Sequence, residues 1–235
     1  MSLEQVLREG FAALGLPLEE TALRRYRLYA DFLAEKNAVM NLTAIEGEEN
    51  VARLHFLDCA ALLGCCDLRG KRLIDVGSGA GFPGLALKIA CPTLELTMLD
   101  SLDKRVAFLR DCCEKLDFPE VQCVHARAEA PPEGYRGAFD AASSRAVARL
   151  NLLCELCLPL VKKNGLFLAM KGPEAGAELR EAETAIRLLG GRTEKLCPYT
   201  IPGTTIEHTV VMIRKVDETP AKYPRPWAQI KKKPL

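Results

Sequence analysis

Arg72-Leu73-Ile74-Asp75-Val76-Gly77-Ser78-Gly79-Ala80-Gly81-Phe82-Pro83-Gly84 decides the fold. The run ending at Val76 reads as a strand that passes straight into glycines at 77, 79, 81 and 84. Glycines accept positive φ and let a ligand approach the backbone closely. Pro83 suits the first turn of a following helix, where its missing N–H costs nothing. Strand, glycine turn and helix start together describe a cofactor-binding turn in an α/β domain.

The pattern continues outward in both directions. Strand-like runs fall at residues 72–76, 95–99, 121–125, 138–143 and 165–170, with helix-like stretches at 83–90, 103–116, 150–162 and 174–189. Such alternation predicts a parallel sheet covered on both faces. Two further strands, 192–196 and 208–215, follow the last helix closely and predict an antiparallel pair at one edge. The expected fold class is therefore α/β: a Rossmann-like, seven-stranded, mostly parallel sheet with helices on both faces.

Upstream, Leu18, Ala22, Leu23, Tyr26, Ala30 and Leu33 recur at helical spacing, a break falls at 37–43, and a second helix is expected over 48–63. Residues 1–64 thus read as a helical N-terminal extension packed on a core of 65–218. The tail, 219–235, carries four prolines, five basic residues and no acidic one. It reads as non-helical, with an end that is mobile or docked on a partner.

Composition bounds the function. The chain is 49% hydrophobic and 27% charged with a net charge of +1, so it packs as a globular protein and offers no global field for nucleic acid. Any RNA contact must use a local patch. No apolar run is long enough to span a membrane, and the start, Met1-Ser2-Leu3-Glu4-Gln5, does not resemble a signal peptide. A cytoplasmic, reducing location is expected. The ten cysteines form no zinc-type spacing, because the lone CxxC at Cys154 and Cys157 lies inside an apolar helical run. They read as small buried residues, and no metal is expected.

The carboxylates near the glycine turn select the cofactor. Asp75 stands two places before Gly77, where it would repel a pyrophosphate but suit a cationic sulfonium and an α-amino group. S-adenosylmethionine carries both and has no phosphate. Asp100 ends the next strand, 23 positions after Gly77, as suits a carboxylate accepting two ribose hydroxyls.

The segments Asp75 to Gly84, Leu99-Asp100-Ser101-Leu102 and Lys104 to Leu109 resemble the bacterial small-subunit rRNA guanine-N7 methyltransferases, the glucose-inhibited division protein B family. Further matches are Asn41-Leu42-Thr43, His55-Phe56-Leu57-Asp58, Arg127-Ala128-Glu129, Ser144-Arg145-Ala146-Val147, Ala169 to Gly172, Lys222 to Arg225 and Lys232 to Leu235. The resemblance implies a class I methyltransferase fold, S-adenosyl-L-methionine as cofactor, and 16S rRNA, free or in a small-subunit particle, as partner. It implies methylation of one guanine N7, at position 527 in the 530 loop. It also implies that Gly77 and Phe82 line the cofactor loop, Asp100 holds the ribose, Ala128 and Glu129 border the adenine, and Arg145 sits by the transfer cleft. Cys59 departs from the family's usual Ser, and Pro226 to Ile230 departs from its usual small-residue stretch. The whole set read as cofactor-binding is Asp75, Gly77, Ser78, Gly79, Gly81, Phe82, Asp100, Ser101, Leu102, Ala128, Glu129 and Arg145.

Guanine N7 has an in-plane lone pair and needs no general base, only alignment and exclusion of water. The sequence holds neither an Asn/Asp-Pro-Pro-aromatic loop for adenine N6 nor a Pro-Cys nucleophile for cytosine C5. Arg145, Lys171, His55, Asp58 and Asn41 are the polar candidates on the acceptor side. Arg145 could bind phosphate or guanine O6, or pair with a carboxylate. His55 and Asp58, one helical turn apart, could face the cleft or form a structural pair. His125 and His208 fall within strands and receive no role. The alternative reading is a methyltransferase of the same class acting on another RNA base, a small molecule or a protein.

Overall fold

A computed structural model describes residues 1–235. Its centre is a seven-stranded sheet in the order β3-β2-β1-β4-β5-β7-β6. The strands are β1 (Arg72–Val76), β2 (Glu95–Asp100), β3 (Gln122–His125), β4 (Phe139–Arg145), β5 (Val161–Lys171), β6 (Gly191–Thr200) and β7 (Glu207–Lys215). Neighbours among β1 to β5 pair in parallel. β7 runs antiparallel to both β5 and β6, which gives the expected edge pair. Strand order reverses between β1 and β4. In open α/β sheets, ligands bind at such a point, outside the carboxyl ends of the strands.

Helices α5 (Gly84–Ala90), α6 (Asp103–Lys115), α7 (Leu150–Cys157) and α8 (Ala175–Leu188) connect the strands. α7 stops earlier than the sequence suggests. Pro159 sits in a 3₁₀ turn over Leu158–Leu160, and Val161 already begins β5. A proline cannot continue the hydrogen-bonded ladder of a helix interior.

The N-terminal extension holds α1 (Leu3–Ala13), α2 (Glu20–Met40) and a segment wound in three ways. That segment starts as α3 (Glu48–Val51), widens to a π-helical turn over Ala52–Leu57, and closes through α4 (Asp58–Ala60) into a 3₁₀ turn over Ala61–Gly64. The extension merges with one face of the sheet. Phe11, Tyr26, Tyr29 and Phe56 are buried in the same apolar cluster as Leu85, Phe108 and Phe82. Tyr26 donates to the Ala86 carbonyl at 2.8 Å, and Tyr29 donates to that of Ala80. α7 and α8 cover the other face, with Leu153, Ile186 and Val211 in its core.

The tail departs from expectation. Trp227–Lys232 forms a short helix, α9, and Ile230 is fully buried. All four prolines lie outside those six residues, and Pro226 precedes the first turn, so none breaks the ladder. The tail is docked on its own chain: Arg225 grips the buried Glu155 of α7 with contacts of 2.6 and 2.8 Å.

Seven of the ten cysteines are buried and all are free thiols. Burial pushes the Cys59 thiol up to about 12, so it behaves as a small apolar residue.

Candidate active site

A cleft of about 460 Å³ opens above the carboxyl ends of β1, β2 and β4. Its floor is the glycine turn. Gly77 and Gly79 have φ of 73° and 58°, and a Cβ on Gly77 would stand 2.5 Å from a Val147 methyl. The turn therefore requires glycine at 77 for both conformation and space. Ser78 and Ala80 contribute to the same wall.

Asp100 reaches the cleft from the tip of β2 with only 2% of its surface exposed. One carboxylate oxygen accepts the Gly79 N–H at 2.9 Å and the other accepts the Leu102 N–H at 3.0 Å. Each oxygen keeps lone-pair capacity for one more donor. That arrangement fits a ribose diol. Glu129, Ala128 and Ser101 extend the wall beyond it.

Three sequence-read cofactor residues stand apart from this lining. The Asp75 carboxylate is fully buried, accepts the Ser143 hydroxyl at 2.8 Å, and accepts the Gly84 N–H at 3.1 Å. It fastens the start of α5 to β4. Burial pushes its carboxyl up to about 6, against those hydrogen bonds. Gly81 serves packing, because a methyl there would run into the Tyr29 hydroxyl. Leu102 is 43% exposed and contributes its backbone N–H to Asp100.

Arg145 ends β4 at the far side of the cleft, over the Phe82 ring at 5.0 Å. It is the hub of a polar cluster. One terminal nitrogen donates to the Asp58 carboxylate at 2.8 Å and the Leu54 carbonyl at 3.1 Å; the other donates to His55 Nδ1 at 2.7 Å. His55 stacks on Phe82 at 4.1 Å and contacts the Thr43 hydroxyl through Nε2 at 2.9 Å. Burial, with the Arg145 charge beside it, lowers the His55 pKa to about 3, so the ring is neutral. Because Arg145 donates to Nδ1, the proton sits on Nε2 and is donated to Thr43. Asp58 also accepts from Tyr199 and His208, each at 2.8 Å. The π-helical turn carries His55 and leads directly into Asp58, so both side chains meet Arg145. Such turns often mark functional sites.

A second cavity of about 400 Å³ adjoins the first and shares Arg145, Ala146 and Val147 with it. Lys171 and His208 lie on its other side. Lys171 is buried and bonds Glu178 at 2.8 Å and the Ala148 carbonyl at 2.6 Å. Asn41 lies outside both cavities, exposed in the left-handed C-cap of α2 with φ 51°. Its neighbours Leu42 and Thr43 line the cleft instead. Sequence reading missed His208, Tyr199 and Trp227. His208 and Tyr199 lie 150 and 141 positions from the Asp58 they bind, and no local pattern signals that pairing.

Sheet order, glycine turn and ribose-type carboxylate define a class I methyltransferase. Solved structures share the fold: a single-residue mutant of the 16S rRNA (adenine(1408)-N(1))-methyltransferase from Catenulisporales acidiphilia has a TM-score of 0.51 at 15% identity, over 64% of this chain and 87% of that one. A branched-chain polyamine synthase of Thermus thermophilus reaches 0.59 at 14% identity, over 83% of this chain and 65% of that one.

The chain belongs to the rRNA small subunit methyltransferase G family, whose model matches residues 22–201. The ribosomal RNA small subunit methyltransferase G of Alkaliphilus oremlandii is 43% identical over the full length of both chains. That of Lactobacillus helveticus is 45% identical over 93% of each.

Proposed function

We propose that the enzyme transfers the methyl group of S-adenosylmethionine to N7 of one guanine, position 527 in the 530 loop, of 16S rRNA in the cytoplasm. Family membership supports the RNA class. The observation that bears on the atom is that His55 and Asp58, the acceptor-side pair beside Arg145, are already engaged. His55 has both ring nitrogens engaged and is neutral, while Asp58 is held by Arg145, Tyr199 and His208. Neither is free to take a proton from an exocyclic amine. Guanine N7 has no proton to lose, so alignment and exclusion of water suffice.

S-adenosylmethionine supplies the electrophilic methyl on a cationic sulfur. The residues do the rest. Asp100 accepts the ribose hydroxyls, Ala128 and Glu129 border the adenine, and the turn from Gly77 to Phe82 lies under the chain that bears the sulfur. The guanine enters the second cavity. Arg145 and Val147 stand between the two compartments, so a base there faces the cofactor end of the first. Arg145 retains its Nε–H and one terminal N–H for an RNA phosphate or the guanine O6. An N7 within a regular RNA helix is out of reach in the deep, narrow major groove, so the target lies in a loop or an unfinished particle. Mass analysis of 16S rRNA from a strain lacking the gene should reveal loss of one N7-methylguanine; an unchanged methylation map would refute the reading.

A further inference from the structure

The single tryptophan of the chain, Trp227, lies in the tail yet lines the cofactor cleft together with Ala128, Glu129 and Leu156. It also packs against the apolar cluster that contains Ala128, Leu99 and Leu156. Anchors fix it on both sides. Before it, the Arg225 side chain and backbone N–H grip Glu155 at 2.6 to 2.8 Å. After it, Ile230 is fully buried. Further upstream, Arg136 holds the carbonyls of Thr219 and Tyr223 at 2.6 and 2.7 Å. A segment tied at three points holds its side chains in place, so the position of Trp227 is built into the fold.

We propose that Trp227 is a cofactor-binding residue whose indole contacts the purine of the bound nucleoside. The proposal rests on the reading of this cleft as the S-adenosylmethionine site. An aromatic surface beside Ala128 and Glu129 offers a purine a polarisable partner that the aliphatic Leu99 and Leu156 of the same cleft do not. The tail then belongs to the cofactor site. Releasing the tail should weaken cofactor binding even though the glycine turn and Asp100 are intact.

Because the chain has one tryptophan, its emission reports this position alone. S-adenosylhomocysteine is titrated into the full-length protein and followed by fluorescence and calorimetry in parallel. The expected result is an emission change that saturates with the calorimetric isotherm, and no change with homocysteine alone. W227A should bind about tenfold more weakly, as loss of a base–aromatic contact implies, whereas W227F should stay within about threefold of wild type. Calorimetric binding with silent emission and equal affinity in W227A would overturn the proposal while leaving the cofactor reading intact. An emission change with homocysteine alone would overturn the purine assignment. Absence of any calorimetric binding by wild type would take down the cofactor reading and the proposal with it.

Discussion

Replacing Asp58 with Asn tests whether the polar hub around Arg145 is a single unit. Asp58 exposes 2% of its side chain and Arg145 15%. The substitution removes the charge that balances Arg145 and puts an amide in place of a carboxylate that accepts from three side chains. Asn has one acceptor oxygen, so an N–H of its amide must face a donor from Arg145, Tyr199 or His208. Breaking a buried ion pair from one side costs about 3–5 kcal/mol. For a chain of this length that lowers the midpoint of thermal unfolding by on the order of 10 °C. Burial pushes the Asp58 pKa up, but the His208 hydrogen bond and the Arg145 charge outweigh it, so the carboxyl lies below its usual range. A depressed carboxyl contributes stability above its unfolded pKa and loses it as pH falls through the folded value. The contribution is therefore complete at neutral pH. Urea unfolding of D58N, R145M and the double variant at neutral pH is the assay. The double variant should lose less than the sum of the singles by at least about 1 kcal/mol, because it leaves no unpaired charge. S-adenosylhomocysteine affinity should change only a few-fold, since Asp100 and the glycine turn do not touch Asp58. Additive costs, or a D58N stability within about 0.5 kcal/mol of wild type, would refute the hub.

Three other perturbations separate the site's parts. Asp100→Ala should weaken S-adenosylhomocysteine by about 1–3 kcal/mol in calorimetry, the cost of lost hydrogen bonds to a charged group, and equal affinities would remove Asp100 from the ribose. Asp75, with a folded pKa of about 6 against the usual 3.8, contributes stability at low pH that fades as pH rises through about 6. Wild type should thus gain about 2–3 kcal/mol over Asp75→Asn as pH falls from neutral to about 4 in parallel urea titrations, and parallel curves would contradict this. Phe56 is fully buried against Tyr26, Tyr29 and Phe82, so Phe56→Ala should cost about 3–5 kcal/mol and unfold extension and core in one transition. Two separate transitions would show that the extension folds on its own.

The fold was legible because its elements announce themselves locally. Arg72 to Val76 is a short strand-like run ended by glycine, and the structure begins and ends β1 where that run does. Boundaries failed where one residue overrode a longer pattern. The apolar stretch from Leu150 to Lys162 reads as one helix, yet Pro159 divides it into helix and strand. In the tail the error ran the other way. Four prolines suggested an irregular chain, but their spacing leaves 227–232 free to form a turn and a half of helix once Ile230 has a place to bury.

The site divides along the same line. That Gly77, Gly79 and Asp100 meet in one cleft was legible because their placement depends on backbone shape within one strand–turn–helix unit and on the tip of the adjacent strand. Asp75 bonds protein groups that its place in the sequence does not reveal. Its position at the strand tip is equally suited to a ligand and to the N-terminus of α5, and only the nearness of Ser143 and the Gly84 N–H decides between them. The acceptor side was legible only in part because its roles are relational. For Arg145 the sequence left phosphate, guanine O6 and a carboxylate partner open, and the partner is Asp58, 87 residues away in the chain. Sequence spacing cannot reveal such a match; the sheet creates it when β4 meets the π-helical turn of the extension. A base-free methyl transfer tolerates that arrangement. The acceptor side asks only for rigid shape and fixed donors, which a neutral His55 and a fully engaged Asp58 help to supply.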